Sequence, residues 1–334
     1  MNPVGPRKVA ATGAALAGLS LVLAACSSGA GDDPASFPED DIEVVVPFAA
    51  GGPTDTVTRM IAEPMADELG VQLVVQNVEG AGGTVGAGQV AAEDPDGYTV
   101  LMHHIGMSTA PALYGDQLAY DPLEDFETVG LVTEVPMTVI ARSDFEPDTF
   151  EDFVAYVQEH ESEVTMATAG EGAASDLCGR LLTTALDVDV TVVPYDGTGP
   201  AMEDLVGRQV DFMCDQTTNT NGQITEGTVK AYAVTTPERI ESLPDLPTTA
   251  EAGQPDVAVS VWHGLYVPAG TPDEVVGKLT AALQVALEDQ AVIDQMAELG
   301  TTPVDVERAT PEAHTELLTE QLATWGDVIG TQGG

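Results

Sequence analysis

The feature that most constrains this chain is a strand that runs straight into a glycine-rich turn and then a helix. Residues 42–65 read IEVVVPFAAGGPTDTVTRMIAEPM. Ile42–Val46 is β-branched and nearly all apolar, which suits a central strand covered on both faces. Pro47 and Gly51-Gly52-Pro53 stop it. Thr54 or Asp55 is placed to cap the helix that follows, and Arg59, Met60 and Ile61 carry its first turns. Such a turn leaves backbone N–H groups unpaired at a helix N-terminus, where the helix dipole is positive, so it suits an anion. An ordinary βα turn looks the same, and the rest of the chain has to decide.

The pattern recurs. Val71–Val78 reads as a second strand, Gly80–Gly83 as another glycine-rich turn, Thr84–Ala92 as a helix and Tyr98–Met102 as a third strand ending at His103-His104. Strand and helix in alternation predict a parallel sheet with right-handed crossovers. Glu127–Arg142 is a long β-prone run holding Pro136, long enough to pass from one domain into another. Beyond it the same logic repeats: strand Val164–Ala169, turn Gly170-Glu171-Gly172, a helix capped by Ser175 or Asp176, then strands Val188–Pro194, Val210–Cys214 and Val229–Thr235. A second β-prone run, Pro255–Pro268, is placed to cross back, and three helices close the chain. A discontinuous first lobe, an inserted second lobe and two crossing strands make a hinged clamshell, with ligands bound where strand ends face the cleft.

The N-terminus is a processing signal. Arg7 and Lys8 form a basic region, Ala10–Leu23 a short apolar one, and Leu23-Ala24-Ala25-Cys26 a lipobox at which Cys26 is lipidated after cleavage of residues 1–25. Residues 26–40 are then the lipidated Cys and a flexible tether. Loss of Arg7 and Lys8 and of no acid leaves 8 basic against 55 acidic residues, a charge of −47. Nucleic-acid binding and attraction to anionic lipid are excluded on that ground. Acids scattered over the whole chain suggest a saline habitat, in which salt screens self-repulsion; equal thermal stability at low and high salt would refute this. Export to an oxidising compartment makes pairing of the two remaining cysteines, Cys178 and Cys214, possible. If strand Val210–Cys214 lies beside Val164–Ala169, they come within range, and we expect a disulfide rather than two buried thiols. A Cα separation above about 7 Å would rule it out.

These residues, in this order, resemble the substrate-binding proteins of tripartite tricarboxylate transporters, the Bug receptors. The likeness covers Ile42–Ile329 and rests on VVPFAAGGPTD (45–55), VEGAGGTVG (78–86), DPDGYTVL (94–101), Pro111–Tyr114, YDPLEDF (120–126), ATAGEGAASDL (167–177), VPYDGTGPAMEDLVGRQVDFMCD (193–215), LPTTAEAG (246–253), Trp262–Pro272 and Trp325. It implies an α/β, two-lobe periplasmic-binding fold (type II, Venus flytrap) with two doubly wound sheets: lobe 1 from residues 41–136 and 260–334, lobe 2 from 137–259. It implies a monomeric extracytoplasmic receptor, not an enzyme, that captures a small organic carboxylate and delivers it to membrane permease subunits. The alternative is a sensor of the same fold feeding a signalling partner. Carried over by position, the ligand residues are Gly51, Gly52, Thr54 and Asp55 of one turn, and Gly170, Gly172, Ala173 and Ser175 of the other, with Tyr195 and Asp215 at strand ends. The hinge is expected near Val135–Met137 and Val257–Trp262.

Rival chemistries are thinly supported. His103 and His104 are adjacent on a strand and point to opposite faces, so they do not share a metal easily, and no Cys or acid cluster completes a site. One of the pair, His103 by expectation, lines the cleft; His263 reaches it or packs. No nucleophile elbow is present around Ser108 or Ser175, and Gly80–Gly86 is only loosely like a dinucleotide fingerprint. No cofactor and no metal are expected. Asp55 and Asp215 do not suit direct contact with a carboxylate; they are expected to orient loop N–H groups and waters, or to accept from a ligand hydroxyl, amine or protonated group.

Overall fold

The computed structural model describes residues 34–332. The expected signal peptide and lipidation site at Cys26 lie outside the described residues.

Three parallel strands begin the first sheet: β1 (Ile42–Val46), flanked by β2 (Leu73–Asn77) and β3 (Thr99–His104). Four of the five β1 side chains are buried, because α1 (Pro53–Leu69) and later helices cover the sheet. The sheet is not all parallel, as simple strand–helix alternation predicts. Strands β9 (Ser260–Pro268) and β4 (Phe126–Arg142) join it antiparallel, in the order β2-β1-β3-β9-β4. The physical reason is the crossing itself: a chain that leaves a lobe and returns must run back against the strands it left.

β4 is the spine of the molecule. Phe126–Pro136 pairs with β9, whereas Met137–Arg142 pairs with β7 (Phe212–Gln216) and β8 (Val229–Val234). Pro136, which has no N–H to donate to a ladder, stands where the partner changes. β7 runs parallel to β5 (Thr165–Thr168), and β5 to β6 (Thr191–Pro194). The helices in chain order are α2 (Thr84–Val90), α3 (Gly106–Tyr114), α4 (Phe150–Glu159), α5 (Ala174–Leu186), α6 (Thr198–Val206), α7 (Thr217–Glu226), α8 (Asp273–Glu288), α9 (Gln290–Glu298) and α10 (Pro311–Gln332). No helix among the described residues is long and apolar enough to cross a membrane.

The second lobe is pinned by its aromatic core and by a covalent bond. Phe153 of α4 is fully buried against Phe145, Phe150, Phe212 and Tyr232. Cys178 of α5 and Cys214 of β7 form a disulfide with a Cα separation of 5.9 Å. It ties the helix after one glycine-rich turn to a strand whose next residue is Asp215.

Candidate functional site

The turn after β1 and the turn after β5 are built alike, and neither helix is capped as its sequence suggests. The N-cap of α1 is Gly52, with Pro53 in the first turn, and that of α5 is Ala173. Neither has a side-chain cap, whereas Thr149 and Asp289 cap α4 and α9. The first-turn amides of α1 and α5 are thus left without a side-chain acceptor of their own. Asp55 instead reaches back: its carboxylate accepts from the Gly51 N–H (3.0 Å), from Arg59 Nε and its second guanidinium nitrogen (2.9 Å each) and from Asn77 Nδ2 (3.0 Å). Asp176 does the same, accepting from the Gly172 N–H (3.0 Å) and Arg180 Nε (2.7 Å). Gly51 and Gly172 both lie in the left-handed region, at φ +78° and +81°, where a side chain is strained. Burial acts to raise the Asp55 pKa, but the Arg59, Gly51 and Asn77 hydrogen bonds outweigh it and hold the carboxyl below its usual range.

The two turns are therefore copies of one device, Gly-x₃-Asp-x₃-Arg, written once as Gly51, Asp55, Arg59 and again as Gly172, Asp176, Arg180. The repeat stands in the sequence itself, where its spacing marks Asp176 and Arg180 as counterparts of Asp55 and Arg59. It has a consequence for the anion site. The N–H groups of Gly51 and Gly172 are spent on aspartates, so the amides that face a ligand are those further on, in the first turn of each helix.

The lobes meet across these turns. Thr109 Oγ1 donates to the Gly172 carbonyl (2.9 Å), the Tyr114 hydroxyl lies 2.8 Å from the Glu171 carbonyl and 3.0 Å from that of Ala81, and the Ala49 N–H donates to the Asp196 carbonyl (3.0 Å). Between them is a cavity of about 20 Å³, which is room for about one water. Gly52, Thr54 and Ser175 line it, each at a helix N-terminus, and Asp215 lines it from the end of β7. Phe48, Pro53, His104, Ala169, Ala174, Thr198 and Gln216 complete the wall; these follow from the turns after β1, β3, β5, β6 and β7, whose C-terminal ends converge here.

The other expected residues stand around the cavity rather than in its wall. Gly51, Asp55 and Gly172 hold the turns as described. Gly170 packs against the backbone of Gly82 in the opposite lobe, and Ala173 is buried at the α5 N-cap. The Tyr195 hydroxyl turns away to donate to Asp204 (2.7 Å), and burial followed by that carboxylate pushes its pKa up to about 12. Of the two adjacent histidines, His104 lines the cavity, stacked on Phe48 at 4.6 Å. His103 is packed against Gly83 and Gly106. Burial depresses the pKa of His103 to about 4 and that of His263 to about 3, and it drives His104 well below its ordinary value with help from both neighbours. His104 Nδ1 accepts from the Gly106 N–H (2.9 Å), so the neutral ring carries its proton on Nε2. His263 Nε2 lies 3.3 Å from Thr54 Oγ1.

No group of His, Cys, Asp and Glu among the described residues could hold a metal ion. Asp215 is fully buried. Its carboxyl accepts from the Gln216 N–H (2.8 Å) and Asn219 Nδ2 (2.5 Å) and has no cationic partner, and burial pushes its pKa up to about 7.

Two sheets joined by crossing strands, with paired helix N-termini facing an interlobe cavity, define a two-lobe periplasmic binding protein. The solved structure of the periplasmic binding protein BugD superposes with a TM-score of 0.87 at 49% identity, covering 89% of this chain and 99% of that one. MatC from Rhodopseudomonas palustris, solved with bound malate, does so with 0.85 at 43% identity, covering 88% and 100%. A second R. palustris protein, solved with adipate, gives 0.84 at 29%, covering 89% and 98%. A UPF0065 protein of Agrobacterium vitis is 51% identical over 89% of this chain and 86% of its own length. Residues 57–333 match the family described as "Tripartite tricarboxylate transporter family receptor". The chain belongs to that family, which is one of binding proteins and not of enzymes.

Proposed function

We propose that this protein captures a small organic carboxylate between its lobes and hands it to the membrane permease subunits of a tripartite tricarboxylate transporter. The observation that carries the reading is the pair of Gly-x₃-Asp-x₃-Arg turns, which point two uncapped helix N-termini at one cavity. Each turn is held by its own Asp–Arg pair, so the donors are preorganised before the ligand arrives. The relatives solved with malate and with adipate support a carboxylate as the ligand. On this reading lobe 1 is residues 41–136 with 260–334 and lobe 2 is 137–259. The ligand touches both lobes, which part to admit it because the cavity as it stands has room for about one water, and the hinge lies where β4 changes partner. The ligand-facing groups are Gly52, Thr54, Ser175 and the first-turn amides, with Gly51, Asp55, Gly170, Gly172 and Ala173 shaping the turns. Cleavage and lipidation at Cys26 would hold the receptor at the outer face of the membrane.

Thermal-shift and calorimetric titration of the purified protein with malate, succinate, adipate and citrate tests the ligand class. A ligand at 100 times its Kd should add about 2.7 kcal/mol of stability. Failure of every carboxylate to shift the melting temperature overturns the reading. Uptake by cells carrying the permease with and without the receptor tests delivery, which should require both.

A further inference from the structure

The site described so far supplies donors for an anion, yet its wall also holds an acid. Asp215 is 1% exposed and lines the cavity beside Gln216, itself 4% exposed. The Asp215 carboxyl accepts from the two nitrogens already named and from the Thr198 side chain. A carboxylate oxygen has room for about two, so acceptor capacity remains. Gln216 Oε1 is buried with no hydrogen-bond partner at all. An unpartnered amide oxygen in the wall of a cavity, beside a carboxylate with capacity for one more donor, costs free energy unless something supplies a hydrogen.

The protein does not supply them. Every Lys and Arg among the described residues is paired with a carboxylate elsewhere. The groups that face Asp215 are neutral: Thr198 of α6 and Asn219 of α7 touch the carboxyl, and Thr138 of β4 donates to its backbone carbonyl. Asp55 of α1 and Asp176 of α5 keep their carboxylates turned to their own arginines. The one other titratable residue in the cavity wall is His104, from the opposite lobe, held neutral by burial.

Resting on the carboxylate reading above, we propose that Asp215 and Gln216 form a specificity subsite for a hydrogen-bond donor carried by the ligand close to its carboxylate, a hydroxyl or an ammonium group. The ligand class is then a hydroxy or amino acid rather than a plain dicarboxylic acid. The site rejects the plain acid because it leaves the Gln216 oxygen unpaired and the spare capacity of Asp215 unused, and a missing donor against a built acceptor is discriminated more strongly than a missing methylene.

The test is calorimetric titration of the wild-type protein with malate, L-aspartate and succinate at pH 6 and pH 8. Malate, aspartate or both should bind at least tenfold more tightly than succinate. Asp215→Asn and, as a milder second variant, Gln216→Met should each bring that ratio to within about threefold. An ammonium ligand pairs best with ionised Asp215, so the aspartate-to-succinate ratio should rise from pH 6 to pH 8 if the donor is an amine; a hydroxyl donor leaves the malate ratio flat. Equal affinity for all three acids in the wild type, or a ratio untouched by both variants, overturns the subsite alone. Binding of none of them overturns the subsite together with the carboxylate reading.

Discussion

Closure should be stopped by one methyl group at Gly82. This residue sits in the turn Ala81–Gly83 of lobe 1, at φ +62°, directly against lobe 2. A Cβ there would lie 1.9 Å from the Glu171 carbonyl oxygen and 2.9 Å from its carbon. Both are backbone atoms and have no rotamer by which to yield. Relieving 1.9 Å to the 3.4 Å of an ordinary contact requires the rims to part by about 1.5 Å. That distance is enough to break the nearest bonds across the cleft, Tyr114 to Glu171 and Thr109 to Gly172. At about 1 kcal/mol net for each, the closed form loses about 2 kcal/mol, and ligand affinity should fall roughly thirtyfold.

The same substitution also strains the backbone, because alanine at positive φ costs about 1–2 kcal/mol. Gly270→Ala separates the two effects. Gly270 has φ +88° with nothing within 4 Å of its would-be Cβ, so it carries the strain without the obstruction. Both variants should lose a few degrees of melting temperature, and Gly82→Ala alone should lose affinity in titration with malate. Scattering of the liganded protein should show a larger radius of gyration for Gly82→Ala than for wild type. Affinity within threefold of wild type in Gly82→Ala would refute contact between the Gly82 and Glu171 rims in the liganded form.

Three further outcomes follow from the structure. Replacing Cys178 and Cys214 by serine opens a loop of 36 residues, and the loop-entropy relation puts the loss at about 4 kcal/mol; denaturant melts of wild type and variant should differ by that order and coincide once the wild type is reduced. Arg59→Met or Arg180→Met removes the cation that holds its aspartate on the turn; since both arginines are about half exposed, the loss in stability should be below 1 kcal/mol, whereas ligand affinity should fall several-fold as the turn loosens. The pH dependence of stability carries the Asp215 signature. Burial raises this carboxyl from 3.8 to about 7, so its stabilisation is fully present below about pH 4 and is lost as pH rises through 7, by an amount of order several kcal/mol. His103, His104 and His263 act in the opposite sense, because their lowered values withdraw stability as pH falls from 6.5. Asp215→Asn should therefore gain on wild type between pH 5 and pH 8 in thermal melts of the unliganded protein, and an unchanging gap would overturn the assignment.

How much of this was legible in the sequence differs by kind of contact. Strand β1 and the turn after it were legible, because β-branched runs and Gly-Gly-Pro act locally. So was the long run holding Pro136, whose length outran a single ladder. The antiparallel return of β9 was not, because direction within a sheet is set by the path between lobes and leaves no mark on the strand. The choice between His103 and His104 was not legible either. A strand alternates its faces, so a one-residue difference in where β3 ends decides which ring meets the cavity. Helix capping misled for an informative reason: Thr54, Asp55, Ser175 and Asp176 are good caps by type, but the aspartates reach back to glycines instead and leave the helix ends to the cleft. Gln216 and Thr198 became visible only when the ends of β6 and β7 were brought to the same cavity as α1.

The charge of the chain makes the last step unavoidable. A chain of formal charge −45 repels anions at long range, and the eight basic residues among the described ones are too few to reverse that. Each of the eight is bonded to a carboxylate, and none lines the cavity. Arg59 and Arg180 come nearest, and their task is to neutralise Asp55 and Asp176, without which the two turns would present negative charge beside the anion. What remains to attract a carboxylate is the backbone: two helix N-termini, 17 and 13 residues long, whose dipoles act over a few ångströms and little further. Recognition by such donors begins only once the ligand is inside the cleft. Salt should therefore speed the encounter by screening the surface charge, while leaving the buried, short-range contacts that set the dissociation rate nearly unchanged.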